Sequence, residues 1–275
     1  MLKRKNILFS TAAISLFALT LISCSEDIVS QPPAPVDSTQ FKYPFTNGSR
    51  WTYHKVESAT NIRPDSIIQY FADYPRITDG TVTILYDTVL NSILTKCFLD
   101  EFTIAVNTYQ NRYYYINNDT ALILYDNVLT FSSGGFLPFG KIKFNTALSD
   151  KGVILNTEES DSYSVFDTID IALKYPFLTG LEWSTFVNNV GSYYKYMGFE
   201  NLTNPMGGVI SCMRVSSVKS YQQAYPVFLF YSKSGLMEKY QNLNDLTVSS
   251  VTHPEGIGFV DIEIKSVVTS FQITE

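Results

Sequence analysis

The sequence predicts an all-β protein, mainly antiparallel, of about a dozen strands with little helix, and three observations support this. From Phe41 onward the chain breaks into short runs rich in β-branched and aromatic residues, with 19 Tyr and 19 Phe among 275 residues. Gly, Asn, Asp and Pro punctuate those runs at turn-like intervals. No segment combines apolar helical spacing with caps, and strands joined by brief polar turns form hairpins rather than parallel crossovers.

The elements follow from the N-terminus. Residues 1–23 begin Met-Leu-Lys-Arg-Lys-Asn and then run apolar from Ile7 to Ile22. A basic start before a stretch too short for a comfortable span is the pattern of an export signal. The run closes on Leu21-Ile22-Ser23-Cys24. That box resembles a bacterial lipobox, which implies a diacylated Cys24 at the head of the mature chain. Two or three fatty chains, at ~0.8 kcal/mol per buried methylene, would hold the protein on a membrane without spanning it. Residues 24–40 read as a Pro-rich, aromatic-free tether, "SEDIVSQPPAPVDSTQ" after the cysteine. Its acidic Glu26-Asp27 pair resembles a surface-export signal of Bacteroidetes-like lipoproteins, and it reads equally as a solvated linker.

Residues 41–275 are expected to form a single β domain, a routine size for such an architecture. Strands are predicted at 51–58, 65–74, 80–90, 96–106, 111–117, 120–131, 162–173, 191–199, 209–218, 225–232, 235–243 and 258–273, with a short helical turn near Thr146–Asp150. In the run at 111–117, alternation puts Tyr113 and Tyr115 on one face and Tyr114 on the other. Asn117-Asn118-Asp119 supplies the following turn.

One phrase occurs twice. "YPFTNGSRW" from Tyr43 to Trp51 and "YPFLTGLEW" from Tyr175 to Trp183 share the skeleton Tyr-Pro-Phe-x-x-Gly-x-x-Trp, and each ends on one of the two tryptophans of the chain. Pro44 and Pro176 fix φ and hold the preceding tyrosine extended. Gly48 and Gly180 allow a positive φ, so the chain can reverse. Trp51 and Trp183 then open a strand, capping the core with the indole N–H near solvent. Each copy reads as a corner of one sheet turned twice. A tandem domain duplication is not expected, because the two halves do not align outside the corners.

The first copy, continuing "WTYHKV", resembles the Y-x-P-L-x-x-G-x-x-W-x-Y opening of uncharacterised envelope lipoproteins of Bacteroidetes, Ignavibacteria and their relatives. The second, preceded by "IDIALKYPF", is similar to the mid-chain L-L-x-x-P-L-x-x-G-x-x-W of the same proteins. "NPMGGVISCMRV" is similar to their P-A-G-T-F-x-C turn with a residue added around Gly208. "YSKSGLMEKY" resembles their G-x-G-L-V-K-Y phrase with a residue added near Glu238. The resemblance implies a curved antiparallel sheet or half-open barrel, and it supplies no catalytic residues.

Chemistry is sparse. Removing residues 1–23 leaves 17 Lys+Arg against 26 Asp+Glu, net −9, so nucleic acid and anionic headgroups are poor partners. There is no Gly-x-Ser-x-Gly elbow, and Ser216 and Lys219 lie three apart in a strand pattern, on opposite faces. His54 and His253 stand alone, no Cys-x-x-Cys exists, and no metal or cofactor is expected. The acidic run Thr157–Ser162 reads as a solvated loop, and Gly134-Gly135 and Gly207-Gly208 lack the helix a phosphate cradle needs. Cys97 and Cys212 lie in strand-like runs, and either a disulfide or two buried thiols fits an exported chain.

The reading that follows is a non-enzymatic envelope lipoprotein, probed by the export machinery through its leader, whose curved sheet binds an apolar or amphipathic ligand or serves as an assembly surface for an envelope protein. It is placed on a membrane, the outer membrane foremost. The alternatives are an adhesin or glycan-binding module with coplanar exposed aromatics, and an extracellular hydrolase with clustered carboxylates.

Overall fold

The computed structural model describes residues 41–129, 135–137, 148–149, 152–155, 170–187, 190–204, 206–220, 223–250 and 253–275. Cys24, the leader, the tether, Gly134, the acidic run at 157–162 and the expected strand residues 162–169 lie outside them. Asp37–Glu275 forms one compact unit.

Fourteen strands occur among the described residues: β1 Arg50–Arg63, β2 Arg76–Leu90, β3 Ile93–Ile104, β4 Asn107–Asn117, β5 Ala121–Val128, β6 Leu148–Ser149, β7 Gly152–Leu155, β8 Asp170–Lys174, β9 Glu182–Val187, β10 Val190–Thr203, β11 Val209–Lys219, β12 Val227–Ser232, β13 Gly235–Ser250 and β14 His253–Gln272. Twelve of them make one sheet in the order β8-β5-β4-β3-β2-β1-β14-β13-β12-β11-β10-β9. Its neighbours are all antiparallel, and β14 pairs with β1 from Arg50↔Gln272 to Arg63↔Phe259. The sheet curls into a nearly closed barrel whose two edges are β8 and β9. β7 adds to the end of β13 in parallel, and β6 pairs with β7.

Strand alternation builds the interior. On β1, Trp51, Tyr53 and Lys55 are buried, and on β4 Asn111, Tyr113 and Tyr115 are. Tyr114 is half-buried on the outer face, as the period of two requires. The turn between β4 and β5 closes on Asn118, whose Oδ1 accepts from the backbone N–H groups of Thr120 and Ala121 at 2.9 and 2.8 Å. An Asx turn of this kind is the reason asparagine is favoured there.

Two expectations about local structure are corrected. Residues 65–74 are not a strand: Asp65–Phe71 is a 3-10 helix following Pro64. Ile67 and Phe71 are its buried side chains, packed with Leu243, Leu246, Val248, Val260 and Ile262. A spacing of four fits one face of a strand as well as a helical turn, and the flanking Ile68 and Tyr70, both exposed, complete a strand-like composition. No helical turn covers Leu148–Ser149 either, because these two residues pair with Gly152–Val153 as a short hairpin.

The repeated phrase divides the sheet evenly. The first copy leads into β1 and the meander through β5, with β8 added beside β5. The second leads into β9 and the meander through β14. Each half therefore contributes six consecutive positions of the barrel wall, and the last strand of each half stands beside the first strand of the other. The sequence halves carry no alignment outside the corners, yet the wall they build has this approximate two-fold form.

Candidate functional site

The two corners are built alike, bond for bond. In the first, Ser49 N–H donates to Thr46 C=O (3.2 Å), Gly48 N–H to Ile84 C=O (2.8 Å), and Ile84 N–H returns to Ser49 C=O (2.9 Å). In the second, Leu181 N–H donates to Leu178 C=O (2.9 Å), Gly180 N–H to Tyr196 C=O (2.7 Å), and Tyr196 N–H returns to Leu181 C=O (3.0 Å). Gly48 and Gly180 hold φ of 89° and 85°, the left-handed third position of a type II turn. The peptide before Pro176 is cis, whereas none is found before Pro44.

The corners also meet each other. The Tyr175 hydroxyl accepts from Tyr43 N–H (3.1 Å) and donates to Asn117 Oδ1 (2.9 Å), while Asn117 Nδ2 donates to Tyr43 C=O (3.1 Å). Phe41 stacks on Phe177 with ring centroids 3.8 Å apart. Residues 41–47 thus cross one mouth of the barrel, from Phe177 to Phe98, which lies against both Tyr43 and Phe45. We call this the near mouth.

The indoles differ from expectation in one respect. Neither N–H reaches solvent: Trp51 Nε1 donates to Ser234 C=O (2.5 Å) in the β12–β13 turn, and Trp183 Nε1 to Ile171 C=O (3.0 Å) on β8. A buried indole must find an acceptor, and an edge strand offers unpaired carbonyls. Trp183 accordingly bridges the gap between β8 and β9, where backbone pairing is missing. Thr185 Oγ1 donates to Asp170 Oδ1 (2.6 Å) across the same gap, and the Tyr196 hydroxyl accepts from Lys174 N–H (3.0 Å) and donates to its C=O. Side chains, not a ladder, close the wall.

The interior is occupied. Trp51, Tyr53, Phe98, Phe102, Tyr115, Phe136, Phe177, Tyr196 and Tyr231 are all essentially inaccessible. A void between Tyr43, Phe98, Tyr115, Leu137 and Tyr231 has about 10 Å³ of room, and one beside Leu202, Ile210 and Met237 about 20 Å³. Each could hold about one water molecule and nothing larger. Part of the filling comes from the β5–β8 connection: Phe136 stacks on Tyr53 at 5.1 Å and meets Phe102 edge-on. Gly80 makes room for it, since a Cβ there would stand 2.5 Å from the Phe136 ring.

Asp100 holds this plug. Its Oδ2 accepts from Phe136 N–H (2.8 Å) and Leu137 N–H (3.1 Å), while Oδ1 has no hydrogen-bond partner among the described residues. Burial pushes its pKa up to about 6, against the lowering effect of the two N–H donors. Further along the barrel the inward row turns polar. Lys55, Ser266 and Lys239 are cross-strand neighbours on β1, β14 and β13. Lys55 pairs with Glu57 (2.9 Å), and Lys219 donates to Ser192 Oγ (2.6 Å). Burial, with Lys55 nearby, lowers Lys239 to about 8.

Of the residues singled out by sequence, the eight corner residues come together at the near mouth, whereas Cys97 and Cys212 do not. Both are buried free thiols, on β3 and β11, separated by β2, β1, β14, β13 and β12, so the disulfide alternative falls. Burial pushes Cys212 up to about 12. His54 lies on the outer face against Asp79 Oδ1 (2.7 Å), and His253 is exposed. No group of three His, Cys, Asp or Glu side chains among the described residues is placed to hold a metal ion. No helix among them is long and apolar enough to cross a membrane. Asp100 and the plug were missed by sequence reasoning; the one signal was that Asp100 falls on the same face as Phe98 and Phe102 in the run "CFLDEF".

No protein-family model matches the chain, and no curated protein matches it. Two solved structures align with it. One is a candidate lipoprotein from Parabacteroides distasonis ATCC 8503, 9% identical, covering 84% of this chain and 98% of that one, with a TM-score of 0.30. The other is a candidate exported protein with a YmcC-like fold from Bacteroides fragilis NCTC 9343, 8% identical, covering 84% and 99%, with a TM-score of 0.31.

Proposed function

We propose that this protein is a lipid-anchored, non-enzymatic protein of the bacterial cell envelope, held through Cys24 at the outer membrane, whose folded body works through its outer surface. The observation that carries the second half is the packed interior: nine large side chains, Trp51 and Tyr231 among them, fill the space a carrier would leave for cargo. An apolar ligand or an envelope partner would then be met on the outside of the wall. The first half rests on the lipobox at Leu21–Cys24 behind a basic, apolar leader. The export machinery is the partner the leader calls for, and the acidic mature balance speaks against nucleic acid.

Two measurements test this. Metabolic labelling with a fatty-acid probe should mark the wild-type chain and not Cys24→Ala; equal labelling of both would end the anchor claim. Organic extraction of purified Cys24→Ala protein, followed by mass spectrometry, should recover no stoichiometric lipid. One equivalent of lipid per chain would return the carrier reading.

A further inference from the structure

At the near mouth two hairpins project beyond the corners, and they occupy equivalent places in the two halves. β2 runs on from Ile84, the partner of the first corner, to Leu90 and returns as β3. β10 runs on from Tyr196, the partner of the second, to Thr203 and returns as β11. Their tips are apolar and exposed: Val89 63%, Leu94 65% and Ile93 38% on the first, Met206 41% and Val209 68% on the second. Val89 and Leu94 face each other across the ladder. The charged residues on these projections are paired, Asp87 with Lys96 and Glu200 with Arg214. Neither tip therefore brings an uncompensated charge.

The other mouth also exposes apolar residues, among them Val106 at 91% and Ile68 at 59%. What separates the mouths is where the chain leaves. Phe41 sits at the near mouth, and only residues 24–40 lie between it and the proposed anchor. A Pro-rich tether of this length reaches at most ~50 Å, at ~3.1 Å per residue. Such a tether keeps the near mouth at a millimolar-range effective concentration at the lipid surface, so an apolar contact too weak to bind from solution becomes populated.

We propose that the near mouth rests on the bilayer that holds the anchor, with the β2–β3 and β10–β11 tips inserted into its surface. This rests on the anchor reading above. Amphipathic tips carrying side chains such as Leu94 and Val209 enter the boundary between headgroups and acyl chains, while the polar walls stay in water.

The test uses the acylated full-length protein reconstituted in phosphatidylethanolamine/phosphatidylglycerol vesicles, with an environment-sensitive fluorophore on Leu94→Cys, Val209→Cys or Val106→Cys. Cys97 and Cys212 are fully buried, and labelling of the unsubstituted protein measures any background from them. Lipids with quenchers in their acyl chains should reduce emission at 94 and 209 at least about two-fold and leave 106 unchanged. Quenching absent at 94 and 209, or equal at all three positions, overturns the proposal. Shielding of 94 and 209 that appears only on adding envelope protein, with no lipid quenching, overturns it in favour of a protein partner. Sedimentation with the vesicles separates the two readings: wild-type protein that fails to sediment sinks the anchor and the docking together, whereas sedimentation without quenching sinks the docking alone.

Discussion

Asp100→Asn should change how stability depends on pH, and the size of the change follows from the site. The folded carboxyl titrates near 6 instead of its ordinary 3.8 because it is buried. At 1.36 kcal/mol per pKa unit, the charged folded form is disfavoured by about 3 kcal/mol at neutral pH. The sign is set by proton binding. Between pH 4 and 6 the native state holds a proton that the unfolded chain releases, so wild-type stability falls as pH rises through this window and levels off above it. Asparagine keeps an acceptor for Phe136 N–H and Leu137 N–H but does not titrate.

The static differences, the neutral amide acceptor against the neutral acid and a new amide N–H beside Asn111 and Tyr113, are the same at every pH. The stronger bonds that the ionised carboxylate accepts are already contained in its pKa. The static differences cancel when the two proteins are compared across pH. The stability difference between Asp100→Asn and wild type should therefore move by roughly 2.5 kcal/mol in favour of asparagine from pH 4 to pH 7.5. Urea unfolding followed by the emission of the buried Trp51 and Trp183, in a Cys24→Ala background, measures it. Asp100→Ala, which strands two buried N–H groups, should lose roughly 2–4 kcal/mol at pH 4 and, because alanine does not titrate either, roughly 2.5 kcal/mol less than that at pH 7.5. A stability difference between Asp100→Asn and wild type that stays constant within about 0.5 kcal/mol would refute the buried-carboxylate account.

Other outcomes follow from the same geometry. Lys239→Met should remove a second pH dependence: the lysine, lowered to about 8, makes wild-type stability rise between pH 8 and 10.5, so in urea unfolding the stability difference between the Met variant and wild type should shift toward wild type across that interval. Trp183→Phe removes the donor to Ile171 C=O and should cost roughly 1–3 kcal/mol, with faster hydrogen exchange confined to β8. Tyr175→Phe takes the acceptor from Tyr43 N–H and the donor from Asn117, for a loss of about 1–3 kcal/mol, while Tyr125→Phe, whose partner Asn91 is exposed, should cost under about 0.5. In the Cys24→Ala background a thiol reagent should find no reactive cysteine in native protein and two after unfolding, with no effect of reductant on the melting curve.

How much of this was legible depends on how local each signal is. Alternation in "NRYYYIN" assigns faces to Tyr113, Tyr114 and Tyr115 directly, because strand geometry has a period of two and the partner strand need not be known. The corners were legible for the same reason: a positive φ at Gly48 and Gly180 is a property of four consecutive residues. The segment at 65–74 misled because its composition is that of a strand and the even spacing of Ile67 and Phe71 is compatible with one. The plug lay beyond reach. Asp100 and Phe136 are 36 residues apart, and no local pattern pairs the acid with Phe136 and Leu137, which lie buried against the barrel interior. Pairing order was equally hidden, so Cys97 and Cys212 could not be placed on distant strands until the sheet was traced.

The two-fold form of the wall explains why it is sealed differently at its two junctions. Where β14 meets β1 the strands belong to opposite ends of the chain, and each is free to run its full length, so the ladder extends from Arg50↔Gln272 to Arg63↔Phe259. Where β8 meets β9 the same corner is present, but here the chain is continuous through it. Residues 175–181 must leave β8 at Lys174, make the turn, and bond to Tyr196 on β10, as the first corner bonds to Ile84 on β2. β8 ends after Lys174, only five residues long, with its carbonyls facing a gap. An indole spans a gap that a peptide group cannot, and this is why the second corner needs its tryptophan at Trp183 to reach Ile171. The first corner, with a complete ladder beside it, turns Trp51 to the Ser234 carbonyl instead. One short phrase thus does two jobs, and which job each copy does is decided by whether the chain is cut or continuous beside it.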